Sequence, residues 1–254
     1  MELYIQWSEL MTEGVNIPFW QEFYVKFYQA FIEANRWQQY LQGVGRTLMV
    51  TALALIIGVI LGVIVAIVRS AHDQQRPEKR NLLMRIVNMI CKVYVTVIRG
   101  TPMLVQMLIM GFVIFSSSRS YTAIGILTLG INSGAYVAEI IRGGLMSLDP
   151  GQAEAGRSLG LTYGDTMRFI VIPQAFKAIL PSLGNEFITL LKDTALIYTI
   201  GGKELVYAAQ AIATRTYEQM FPLVGSAVIY LALVMIFTWL QGILERRLRQ
   251  SDRR

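Results

Sequence analysis

The chain has 254 residues, 54% of them hydrophobic and 16% charged, with a formal net charge of +6, where an ordinary soluble domain carries about 25% charged residues. That composition, with a mean hydropathy of +0.46, excludes a disordered chain. One cysteine, Cys91, and one histidine, His72, exclude a disulfide scaffold and cannot by themselves assemble a zinc site. The apolar surplus exceeds what a soluble fold of this size can hide, so lipid must cover part of it, and the chain reads as an all-α integral membrane protein.

The first 20 residues are acidic and aromatic and lack the basic start of a signal peptide, so the first apolar span reads as an uncleaved anchor. Before it, Phe19, Phe23, Phe27, Phe31 and Trp37 recur near helical spacing. Residues 1–45 therefore read as an amphipathic arm on the external face, either lying on the outer leaflet or packed on the bundle. The clearest span, 47–68, carries no charge and is flanked by Arg46 and Arg69. Four weaker spans follow at about 102–118, 121–141, 183–202 and 222–243, giving five transmembrane helices in a membrane domain of 46–247.

The charges orient these spans. Five acids and three bases precede Thr47, whereas residues 69–101 hold seven bases against Asp73 and Glu78, and Glu245–Arg254 holds five arginines against two acids. The positive-inside rule puts the N-terminus outside and the C-terminus inside, with 69–101, 142–182 and the basic tail 248–254 in the cytoplasm. The basic balance is thus topological, and nucleic acid is not an expected partner.

Residues 142–182 form an unusually long interspan segment. Glu154-Ala155-Gly156-Arg157-Ser158-Leu159-Gly160 predicts a helix over 152–159 stopped by Gly160, then a second over 163–171 broken by Pro173. Two short helices with small residues at the bend would make a rigid knob for a soluble partner, unless the segment is an ordinary re-entry loop. No internal repeat is visible, which argues against an ATP-independent secondary carrier. An intramembrane enzyme has no support in H-E-x-x-H or G-x-S-x-G, since Gly130-Ile131-Asn132-Ser133-Gly134 places its serine one position late.

Glu154-Ala155-Gly156 with Gly160 and Ile172-Pro173 resembles the EAA loop of bacterial ABC-importer permease subunits. Arg99-Gly100-Thr101-Pro102, Leu104-Val105-Gln106, Asn132-Ser133-Gly134-Ala135-Tyr136 with Glu139, Arg142-Gly143-Gly144 and Leu191-Lys192-Asp193-Thr194 extend the resemblance to the polar amino-acid uptake branch, over about residues 40–247. Gly156 stands where alanine is usual, and Ala195 where serine is frequent. The resemblance implies a type I permease fold in a bacterial inner membrane, paired with an identical or homologous permease. It further implies two ABC ATPase subunits docked on the loop, an extracytoplasmic amino-acid-binding protein, and ATP and Mg held by the ATPase, with no cofactor on this chain. The chain has no G-x-x-x-x-G-K-[ST] phosphate loop.

Two sets of candidate residues follow. The coupling set is Glu154, Ala155, Gly156, Ser158, Leu159, Gly160 and Pro173. The substrate set begins with Glu186 and Asp193, seven apart and so on one helical face with Thr189 near it, and with Lys192, which either recognises substrate or pairs with Asp193. Met103, Gln106 and Asn132 join it, and the resemblance gives Glu186, Asp193, Met103 and Gln106 as pocket-lining. The acid excess favours a cationic amino acid such as arginine or lysine.

Overall fold

The computed structural model describes residues 2–75 and 81–251. Arg76, Glu78, Lys79 and Arg80 of the basic segment and Asp252–Arg254 of the tail lie outside them. Among the described residues the chain is helical, without strands. Helices α1 (Glu2–Thr12) and α2 (Phe19–Phe31) form the arm, followed by α3 (Trp37–Gln74) and α4 (Leu82–Gly100). Helix α5 (Met103–Ile109) runs into a π turn at Met110–Ile114 and precedes α6 (Tyr121–Met146). Helices α7 (Pro150–Ser158) and α8 (Tyr163–Thr166), with a π turn at Met167–Val171, lead into α9 (Ile172–Asp193), which continues as a 3-10 helix over Thr194–Ile200. Helices α10 (Leu205–Thr216) and α11 (Met220–Ser251) complete the chain.

Three segments are long and apolar enough to cross a bilayer: Trp37–Asp73, Tyr121–Met146 and Met220–Leu248. The pair α4 and α5 with its π turn counts as a fourth only if its 107° bend is one broken span. The segment expected at 183–202 falls in α9 and its 3-10 extension, where Glu186, Lys192 and Asp193 lower the mean hydropathy. Helix ends also overshoot the apolar stretches. Helix α3 begins ten residues before Thr47, and α6 runs five beyond residue 141, because leaving the hydrocarbon does not itself break a helix. The basic segment expected between the first two spans is largely the helix α4.

The core is built on the crossing of α3 and α6, the most extensive helix pair. Two small-xxx-small steps face each other there, Gly58/Gly62 and Gly130/Gly134. A Cβ on Gly62 would stand 2.5 Å from Val137 Cγ1, one on Gly130 2.6 Å from Ile57 Cγ2, and one on Gly134 2.7 Å from the Tyr94 hydroxyl. Lipid tails are as apolar as leucine, so close backbone approach and dispersion, rather than water exclusion, hold such a pair.

The arm packs on the end of the bundle formed by α3, α10 and α11, through one face only. Val25 and Ala30 are fully buried, Phe31 stacks on Tyr40 at 5.3 Å, and Phe23 and Phe27 meet Phe221 edge-on. Phe19 and Trp20 remain exposed. Lys26 bridges Glu22 at 2.8 Å and Glu218 at 3.1 Å, and the Glu22 hydrogen bond holds its ammonium above the usual lysine range.

Candidate functional site

The knob is assembled from local signals. Asp149 Oδ1 accepts from Gly151 N at 2.8 Å, and Pro150 supplies the first helical turn, so α7 starts at a side-chain cap. It stops at a Schellman motif: Gly160 takes φ +81°, its N–H donates to Arg157 O, and Leu161 N donates to Gly156 O at 3.1 Å. Thr162 caps the next turn through Asp165 N. Pro173 differs from expectation. It does not break the second helix but sits in the first turn of α9, and the π turn before it absorbs the bond its missing N–H cannot make.

Glu154, Ala155, Ser158, Leu159 and Gly160 are exposed, with Leu159 at 81%. Gly156 is the exception, being buried. A Cβ there would stand 2.9 Å from Thr166 Cγ2 and 3.0 Å from Ile170 Cδ1, so its small volume seats α7 on α8 and the π turn rather than meeting a partner. Gln174 Nε2 donates to Gln152 Oε1 at 3.1 Å and ties the knob to α9. The result is a small rigid projection with an apolar tip.

The candidate substrate residues do not converge on one cavity. Asn132 Nδ2 donates to Gln106 Oε1 at 3.0 Å, and Gln106 Nε2 donates to Ile98 O at 2.8 Å and to Thr101 Oγ1 at 2.8 Å. Gln106 therefore clamps the end of α4 to α5 and both to α6. Thr101 closes α4 by donating to Val97 O. Met103 packs against the apolar cluster around Met107, Leu190 and Ile197. On α9, Glu186 is 9% exposed and adjoins Ser133 of α6, Asp193 is half-buried, and Thr189 and Lys192 are exposed. Among the described residues no ion pair joins Lys192 to Asp193 and none reaches Glu186, nor do three or more His, Cys, Asp or Glu gather as a metal site.

Residues 80–250 match the family model described as a binding-protein-dependent transport system inner membrane component. The chain is 35% identical to the arginine transport system permease protein ArtQ of Bacillus subtilis (strain 168), over 84% of this chain and 93% of that protein. It is 34% identical to the putative glutamine transport system permease protein GlnP of Rickettsia typhi, over 82% and 92%. A crystal structure of an amino acid ABC transporter with histidines superposes with a TM-score of 0.74 at 40% identity, covering 83% of this chain and 94% of that one. The chain belongs to this permease family.

As an ABC permease it works with ATPase and binding-protein subunits, and the ATP is hydrolysed on the ATPase, not here. The secondary-carrier and intramembrane-enzyme readings fall with that assignment. Two hubs of the permease join helices in ways the sequence does not show. Glu139 pairs with Arg142, also binds Arg69 of α3 and lies 3.8 Å from Arg99 of α4, which stacks over Tyr136 at 5.2 Å. Asn132, Tyr136 and Glu139 thus form one stripe of α6 against the α4–α5 bend. Glu204, 1% exposed, accepts from Val206 N at 2.7 Å, Tyr207 N at 2.8 Å and Tyr230 Oη at 2.8 Å, while Leu205 N donates to Thr47 Oγ1. A lone glutamate after two glycines offers no motif to find it by. The glycine steps of α3 and α6 were readable as small-xxx-small patterns.

Proposed function

We propose that this permease, as one half of a dimeric pathway in a bacterial inner membrane, imports polar amino acids with a preference for cationic side chains. The observation that carries the reading is Glu186. It is a buried carboxylate deep in α9 with no cation paired to it among the described residues, and with Asp193 two helical turns further along the same face. An acid buried in a membrane helix costs several kcal/mol unless something positive meets it. A transient cationic substrate supplies that charge, while Thr189 and Lys192 on the exposed edge can engage its amino and carboxylate groups. The ArtQ relative is an arginine permease, which supports the charge preference; GlnP is a putative glutamine permease, which sets its competitor.

The proposed topology has five crossings: α3, residues 102–118 (α5, its π turn and the turn that follows), α6, α9 with its 3-10 extension, and α11. Residues Ile172–Ile200 rise about 43 Å as a near-continuous helix, enough to cross despite their charges. The N-terminal arm then lies outside, near the delivering binding protein, and the knob and C-terminus lie inside, where two ATPase subunits seat on the exposed Leu159 tip. ATPase activity is measured in liposomes holding the permease with its ATPase, with binding protein loaded with arginine, lysine, histidine or glutamine. Arginine or lysine is expected to stimulate most, and Glu186→Gln to raise the half-saturating level of the cationic form about tenfold while sparing glutamine. Equal loss for all four would remove the charge-recognition role.

A further inference from the structure

Helix α4 turns 107° from α5, and Gln106 holds that bend through the Ile98 and Thr101 acceptors. If α5 runs along the bilayer normal, α4 lies within about 20° of the membrane plane. Its side chains divide into three faces. Cys91, Tyr94, Val95 and Ile98 turn inward onto Val65, Ala135 and Ala138, and Tyr94 Oη donates to Ile131 O at 2.5 Å. Leu82, Ile86, Met89, Ile90, Val93 and Val97 point away from the protein, between 49% and 70% exposed. Arg85, Lys92 and Arg99 recur every seven residues and, with Asn88 and Thr96, fill an arc of roughly 80° between those two faces. A soluble surface would not leave six large apolar side chains open along one helix, and a spanning helix would not carry a basic stripe along its whole length.

We propose that α4 is an interfacial helix lying flat in the cytoplasmic leaflet, with its apolar face in the acyl chains and Lys92 of its polar stripe on the phosphates of anionic phospholipid. The charge pattern matches that occupant. Exposed large apolar side chains also stand on α3 and on the π turn, such as Ile64, Phe112 and Val113. By tethering α4 at the headgroups, the leaflet would fix one arm of the bend whose other end meets Glu139 and Asn132 of α6. The choice of leaflet rests on the topology proposed above.

The test uses the permease–ATPase complex in vesicles of phosphatidylethanolamine with phosphatidylglycerol, in a Cys91→Ser background, with spin labels at positions 86, 88, 90, 92, 93 and 97. Positions 86, 90, 93 and 97 are expected at one depth below the phosphates, accessible to oxygen and shielded from a water-soluble nickel chelate, with 88 and 92 shallower. Depth rising steadily from 86 to 97 would show a crossing helix and overturn the proposal. So would spin–spin broadening at 86, 90 and 93, which would put a second copy on this face. Titrating phosphatidylglycerol should give an ATPase response whose half-maximal lipid fraction rises about fivefold in Lys92→Gln; an unchanged response would remove the anionic lipid. A Ser158→Cys thiol labelled from outside by an impermeant reagent would overturn the topology, and the leaflet with it, independently of the depth profile.

Discussion

Glu139 and Glu204 hold neighbouring helices together by opposite means. Glu139 sits where α3, α4 and α6 meet, half-exposed, and is surrounded by Arg69, Arg99 and Arg142, so that cations outnumber it. Glu204 is sealed where α3, α10, α11 and the extension of α9 meet, and is compensated by neutral dipoles: two backbone N–H groups at the start of α10 and one phenol, which also contacts Thr194 Oγ1 at 3.2 Å. A carboxylate near water can be held by mobile cations at modest gain. One sealed from water needs preorganised donors, because any vacancy exposes the full desolvation cost. The two ends of this permease should therefore respond differently to the same kind of substitution.

The largest expected effect is Glu204→Ala. It orphans two backbone donors and the Tyr230 hydroxyl at once and should lower stability by about 3 kcal/mol, read as a drop in the unfolding temperature of the detergent-solubilised complex. Glu139→Gln comes next, at about 2 kcal/mol, because three arginines lose their common counter-charge. Its deficit should shrink as added salt screens their mutual repulsion, whereas the Glu204→Ala deficit should be indifferent to salt. If both deficits respond alike to salt, the contrast between the hubs is wrong. Tyr230→Phe removes one donor from Glu204 and should cost about 1 kcal/mol. The smallest is the clamp at the bend: a double-mutant cycle over Gln106→Ala and Asn132→Ala should give a coupling of about 0.5–1 kcal/mol, and a coupling near zero would mean that α5 and α6 are held by packing alone.

Legibility in the sequence tracks the same division between local and long-range causes. The end of the knob's first helix was readable because its stop is local, with Gly160 ending α7 within one residue of expectation, whereas Asp149 and Pro150 start it two residues before the expected 152. What Gly156 is for was not readable, since Thr166 and Ile170 reach it only after folding. The apolar stretch of α3 announced itself, yet Trp37 and Gln74, its true ends, lie in polar sequence that carries no stop signal. Helix α4 was hidden because hydropathy averages its basic stripe with its apolar face. Gln106, Asn132 and Glu139 were recognisable as costly polar residues near spans, but the pairing of Gln106 with Asn132 and of Glu139 with Arg99 depends on a 107° bend that Thr101-Pro102 permits without dictating its angle.

The central claim is that the exposed tip of α7 passes ATP-driven motion to the membrane helices. It is tested most directly by replacing Leu159 with aspartate and measuring ATPase activity with and without loaded binding protein. Position 159 is open, so the variant should fold and melt like the wild type. The account predicts that the ATPase dissociates or loses its stimulation by loaded binding protein. Full stimulation with the ATPase still bound would contradict it.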